Sequence, residues 1–264
     1  LARWKQASLP ELMLRLRWAF GVSVVTALLM PFVMGEWKPW VSFGLLLAFW
    51  IIATIFVSIR HRLHNSGQGG LFTKLAKQSR SYYSMHLAHL GIAVFIIGVT
   101  LVNGYETEKD VRMEIGSTVT MGGYTFRFNG ASQVSGPNYQ AMRGDIDVLR
   151  NGEKIRVMQP EKRTYNASGM AMTEPAIDTG LLRDLYVALG EPLEDGAWVV
   201  RVYHKPFVDW IWFGCLLMAF GGILAVTDRR YRLKVHNKHV ETATVADDKR
   251  VASNPRLSTG GKKA

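Results

Sequence analysis

The sequence predicts an α-helical membrane protein with four transmembrane helices and one β-rich extracytoplasmic domain inserted between helices 3 and 4. Three observations carry this reading. Of the 264 residues, 48% are apolar, and they are bunched rather than spread. The bunches fall at residues 18–34, 40–59, 85–102 and 208–226, without Lys, Arg or Glu, and Asp209 is their one acid. Runs of ~17 to 20 such residues cross about 30 Å of hydrocarbon as helices. Between the third and fourth bunches the hydrophobic period changes from that of a helix to that of a strand.

Charge orders these elements across the membrane. The formal net charge is +11, but residues 105–206 hold 14 acids and 12 bases and are close to neutral. The excess lies in residues 1–17 (Arg3, Lys5, Arg15, Arg17), in residues 60–84 (Arg60, Arg62, Lys74, Lys77, Arg80) and beyond residue 228 (Arg229, Arg230, Arg232, Lys234). Lys and Arg favour the cytoplasmic side of short loops. Residues 1–17 are therefore expected to be a cytoplasmic segment, residues 18–59 to hold helices 1 and 2, and residues 60–84 to form a basic cytoplasmic loop. Helix 3 is expected at 85–104, the exported domain at 105–206 and helix 4 at 207–228. Nucleic-acid binding is the other use of basic flanks, but they lack interleaved aromatics, and topology accounts for them.

Local signals fill in each part. The NSGQGG turn at 65–70 precedes LFTKLAKQ, a short amphipathic basic stretch suited to the membrane surface. Tyr82, Tyr83 and the tryptophans at positions 4, 18, 37, 40, 210 and 212 stand at span ends, as an aromatic belt does. In the exported segment, GYTFRFNG, DIDVLRNGEKIRVM and AWVVRVY alternate apolar and polar residues, and Asn151-Gly152 is a type I′ hairpin signal. The only cysteine, Cys215, lies in the fourth span, so this domain is expected to fold without a disulfide. Residues 229–264 read as a polar, disordered cytoplasmic tail. Leu1 in place of a methionine, with no signal-peptide pattern, reads as the continuation of something longer.

Histidines supply the candidate site. His61, His64, His236 and His239 lie in basic segments and read as solvated surface, and His204 reads as an interfacial anchor. His86 and His89 differ, because they sit three apart at the mouth of the third span, with His89 a turn deeper. One reading has His86 reaching the interface and His89 hydrogen-bonding to a neighbouring helix. The other makes the site a haem site, since neutral imidazole is an axial ligand and a porphyrin fits between helices. Two histidines three apart cannot reach opposite faces of one porphyrin. A second axial histidine would then come from outside this chain, with Met30 and Met218 as weaker alternatives. Gly91 and Gly98 either make room for a flat ring or pack helices together.

The runs MHLAHLGIAVFIIGVT, EKRTYNASGMAMTEPAI, RDLYVALGE and WIWFGCLLMAFGGILAVTDRRYR, in that order, resemble the C-terminal part of the CcmF/NrfE haem lyase family. The resemblance covers about residues 1 to 235. It implies a multi-pass protein of the bacterial inner membrane, with residues 105–206 in the periplasm. The implied role is haem delivery and covalent attachment of haem to apocytochrome c at the outer face. The haem chaperone CcmE, CcmH-type apocytochrome-presenting subunits and the upstream half of the family's protein are the implied partners. It further implies a transmembrane haem b, one of whose ligands stands in a sequence like LxHLG, which His89 matches and His86 does not. The family's tryptophan-rich WWD motif and its other histidines lie upstream and are absent here. A fragment or one half of a split protein is therefore expected, without lyase activity of its own. The competing reading, from another class, is a non-enzymatic membrane scaffold or receptor whose β domain binds a partner protein.

Overall fold

A computed structural model describes residues 9–64, 70–76 and 78–227; the expectations for residues 1–8, for most of the NSGQGG turn and for the tail lie outside them. Four helices are long and apolar enough to cross a membrane. They are α1 (Leu9–Val33), α2 (Pro39–His64), α4 (Arg80–Tyr105) and α5 (Val208–Val226), with the short α3 (Leu71–Ala76) between α2 and α4. Pro39 opens α2, where its missing N–H costs nothing and its φ is already helical. Ser79 caps α4, its hydroxyl accepting from the Tyr82 N–H at 3.3 Å. The 26 residues of α4 run for about 39 Å.

The helices pack through small side chains. Val41, Leu45 and Ala48 of α2 are buried against Ala27 of α1 and against Ala93, Ile97 and Leu101 of α4. On another face of α4, a Cβ on Gly91 would stand 2.7 Å from both the Gly214 carbonyl oxygen and the Met218 nitrogen of α5. One heptad along, a Cβ on Gly98 would meet the Ile211 nitrogen at 2.8 Å, and one on Gly221 would meet Ala88. Helices that lack a hydrophobic drive toward each other in lipid associate through such close backbone approach. The space beside Gly91 is thus filled by α5, and this corrects the reading of Gly91 as room for a macrocycle.

Between α4 and α5 lie ten antiparallel strands: β1 (Thr107–Met113), β2 (Thr118–Met121), β3 (Tyr124–Ser135), β4 (Tyr139–Arg150), β5 (Glu153–Met158), β6 (Glu161–Tyr165), β7 (Ala171–Glu174), β8 (Ala176–Asp178), β9 (Arg183–Pro192) and β10 (Trp198–Pro206). One sheet has the order β1-β10-β9-β8, the other β2-β3-β4-β6-β7 with β5 also paired to β4. Asn151 (φ 54°) and Gly152 (φ 85°) both take the left-handed conformation a type I′ turn demands, and they join β4 to β5. Inward-facing residues of both sheets form one core, with Phe126, Phe128, Ile146, Val148, Leu185, Val187, Val200 and Val202 buried completely. Each buried carboxylate of this domain's ion pairs is held by two bases. Asp147 takes Arg127 and Lys154, Glu161 takes Arg143 and Arg163, and Asp178 takes Arg156 and Arg183.

Sandwich and bundle are joined without a linker. The helix α4 runs directly into β1, and β10 into α5, while β1 and β10 pair along their length. The Lys38 ammonium donates to the Gly104 carbonyl at 2.7 Å, and the Tyr105 hydroxyl to the Glu36 carbonyl at 2.8 Å. At α5, the Trp210 indole donates to the Leu181 carbonyl at 3.0 Å.

Candidate functional site

The helix α4 packs against α2 on one side and α5 on another. Met85, His89, Ile92 and Asn103 share an exposed face. His86, about 60° round the helix, is buried. It is 8% exposed, stacks at 4.1 Å on Tyr82, and its Nδ1 lies 2.8 Å from the Tyr82 carbonyl. Over the Tyr82 ring stands the Arg62 guanidinium, 5.0 Å from its centroid. The two histidines are therefore not one site. His86 is packed within its own chain, and His89 is presented to whatever lies beside it.

The chemistry of His89 follows from one hydrogen bond. Its Nδ1 lies 2.6 Å from the Met85 carbonyl, an acceptor, so in the neutral ring the proton sits on Nδ1 and the lone pair on Nε2. A carbonyl behind the ring fixes tautomer and orientation in this way for many metal-ligating histidines. Beside Met85, between the ends of α4 and α5 far from the sandwich, runs a shallow groove of about 620 Å³ floored by Ala88, Gly221 and Gly222. Of the methionines considered as ligands, Met218 packs on Gly91 and Met30 against the α1–α2–α4 core.

The remaining histidines serve other places. His204, read as an interfacial anchor, is half-buried in the sandwich near the foot of α5: its ring lies where a Cβ on Gly122 would fall, 6.4 Å from Tyr124. Burial, with the Arg183 charge added, pushes its pKa below the usual histidine value. Arg183 itself joins the Tyr124 hydroxyl at 3.0 Å to the Asp178 carboxylate at 2.7 Å. His61 and His64 line a second groove, between α1 and α2. Nothing in the sequence marks that groove, because it lies between two ordinary apolar helices. His236 and His239 lie outside the described residues. Among the described residues no three His, Cys, Asp or Glu side chains come together as a metal cluster.

Apolar helices long enough to span a membrane, carrying a β-sandwich between the last two of them, define a multi-pass membrane protein with an inserted sandwich domain. Comparison with known proteins gives the family. Residues 104–206 match the family description "CcmF C-terminal beta-sandwich". The chain is 45% identical over 246 residues to the cytochrome c-type biogenesis protein CcmF of Pseudomonas aeruginosa, covering 93% of this chain and 37% of that relative. Against CcmF of Escherichia coli it is 41% identical over 236 residues, covering 89% of this chain and 35% of the relative. NrfE of Haemophilus influenzae is 36% identical over 146 residues, 55% of this chain and 23% of the relative. A solved structure titled cytochrome c heme lyase CcmF superposes with a TM-score of 0.67 over 86% of this chain and 36% of its own, at 18% identity. The chain belongs to the CcmF/NrfE family of cytochrome c-type biogenesis proteins and corresponds to its C-terminal portion, spanning little more than a third of those CcmF relatives.

Proposed function

We propose that this chain forms the C-terminal portion of a cytochrome c haem lyase of the bacterial inner membrane. In that role it takes part in haem delivery and in covalent attachment of haem to apocytochrome c, with the sandwich in the periplasm. The upstream part of the lyase, the haem chaperone CcmE and CcmH-type subunits that present the apocytochrome are the partners this reading names.

Within it, His89 is an axial ligand of a transmembrane haem b, and the second ligand comes from outside this chain. The observation that supports this is the exposed His89 ring, with its Nδ1 2.6 Å from the Met85 carbonyl, which leaves Nε2 as the nitrogen open to a ligand. A neutral imidazole in this tautomer fits an iron ligand, and a small-residue groove lies beside Met85. The depth of His89 no longer bears this argument alone, since His86 is a second intramembrane histidine with a complete set of neighbours inside the chain. A bound haem would supply a site for electron transfer toward the outer face. What the chain's own residues do is hold the ring: Met85 fixes its tautomer, and the close α4–α5 packing fixes the helix that carries it.

The test compares His86→Ala and His89→Ala, each expressed with the upstream part, by reduced-minus-oxidised spectra and by yield of holo-cytochrome c. Losing one ligand of a six-coordinate haem turns a low-spin spectrum high-spin or abolishes it. His89→Ala is expected to do so and His86→Ala to keep the low-spin spectrum. The reverse pattern refutes the assignment. If both variants keep it, no haem hangs on α4 and the scaffold reading stands.

A further inference from the structure

We propose that the groove between α1 and α2 binds the acyl chains of an anionic phospholipid, with the headgroup phosphate resting on Arg60, His61 and His64. The proposal rests on these helices spanning a membrane and is independent of the haem assignment. Small residues of α1 are buried all along one side of the helix, with Ala19 at 4%, Ser23 at 0% and Ala27 at 2% exposed. Beside them α1 and α2 leave a groove of about 840 Å³, within the range of about 300–1,000 Å³ typical of small-molecule sites. Ala19 and Ala53 are too small to fill it, and the aromatic faces of Trp18 and Phe56 stand at its sides.

Shape, polarity and charge agree on one occupant. Along α2 the lining runs from Phe49 to His64, sixteen residues and about 22 Å from first to last. That spans one leaflet of hydrocarbon, about 15 Å, and reaches the headgroup level. The interior offers no hydroxyl to a polar ligand, because Thr26 turns its Oγ1 back onto the Val22 carbonyl at 2.8 Å. An alkyl chain fits such walls, and a polar headgroup does not. At the mouth Arg60, His61 and His64 gather where α2 has no acidic residue. A guanidinium matches a phosphate in a bidentate way, a Lys or Arg near the surface favours anionic over zwitterionic lipid by about fivefold, and the two imidazoles can donate hydrogen bonds to the same phosphate. A neutral isoprenoid would make no use of the guanidinium.

The experiment uses the complete protein in nanodiscs of mixed phosphatidylethanolamine and phosphatidylglycerol, with retained lipid identified by native mass spectrometry. Wild type is expected to retain one phosphatidylglycerol, enriched at least fivefold over the disc composition. The pair Arg60→Gln with His64→Gln should lose the enrichment and still retain lipid. Ala19→Phe with Ala53→Phe should lose the adduct, while Leu47→Phe, on an exposed face of α2, should keep it. Haem spectra are expected to be unchanged in all of these, which separates this proposal from the one above. Retained lipid of bulk composition in wild type overturns the proposal. So does an adduct that survives the two phenylalanines, a retained quinone, or a cross-link showing a helix of the upstream part seated in the groove.

Discussion

Adding one methyl group at Gly91 should be among the costliest small changes in the bundle. A Cβ there lies 2.7 Å from the Gly214 oxygen, 2.7 Å from the Met218 nitrogen and 2.8 Å from the Met218 Cγ, where ordinary contact begins near 3.4 Å. Two of the three atoms are backbone, so no rotamer change relieves the overlap, and α4 and α5 must separate by about 0.7 Å or tilt. Overpacking of that kind costs about 1–3 kcal/mol. The same substitution at Gly222, also on α5, meets nothing within 4 Å. There the better helix propensity of alanine is the remaining effect, a gain of up to about 1 kcal/mol. Thermal unfolding of the detergent-solubilised protein reads the contrast. At roughly 2–4 °C per kcal/mol for a chain of this size, Gly91→Ala should melt about 2–12 °C lower than wild type, and Gly222→Ala no lower. Because α4 carries His89, Gly91→Ala should also disturb any haem spectrum without touching the imidazole. A Gly91→Ala protein melting level with Gly222→Ala would show that the α4–α5 contact is looser than this geometry, and the argument from close packing would fail.

Three further outcomes are expected. Phe128→Ala empties a completely buried ring from the sandwich core and should destabilise the domain by about 3–5 kcal/mol, read by urea unfolding through Trp198 in the same core; a cost below about 1 kcal/mol would contradict that core. The Lys154 ammonium and then the Arg127 guanidinium hold the Asp147 carboxyl down to about 2, so its stabilisation is present above the usual carboxylate value near 4 and lost as pH falls toward 2. With both partners half exposed this amounts to about 1–2 kcal/mol, and the stability gap between wild type and Asp147→Asn should close between pH 5 and 2; a gap independent of pH rules the pairing out. In intact cells of a Cys215→Ser background, an impermeant thiol reagent should label a cysteine at Glu194 and spare one at Thr73; the opposite pattern reverses the proposed topology.

The sequence alone determined what depends on local composition and period. Four apolar runs are long enough to span because hydrocarbon thickness sets a length that can be counted along the chain. The Asn151-Gly152 turn could be read directly because two consecutive left-handed residues suit few amino acids. The family, too, was legible in the order of its motifs. Which histidine faces outward was not. His86 and His89 lie about 60° apart around one helix, and period alone leaves both on the same side. Only tertiary packing buries one ring and leaves the other out. The same holds for Gly91, whose missing side chain is equally compatible with a helix or a ring until the α5 backbone is found 2.7 Å from where its Cβ would be. The contact of the His204 ring with Gly122 was not legible either, because it depends on the pairing of β2 with β3 that places the glycine beneath it. The groove between α1 and α2 has no sequence signal, because it lies between two helices whose residues are individually ordinary for membrane spans.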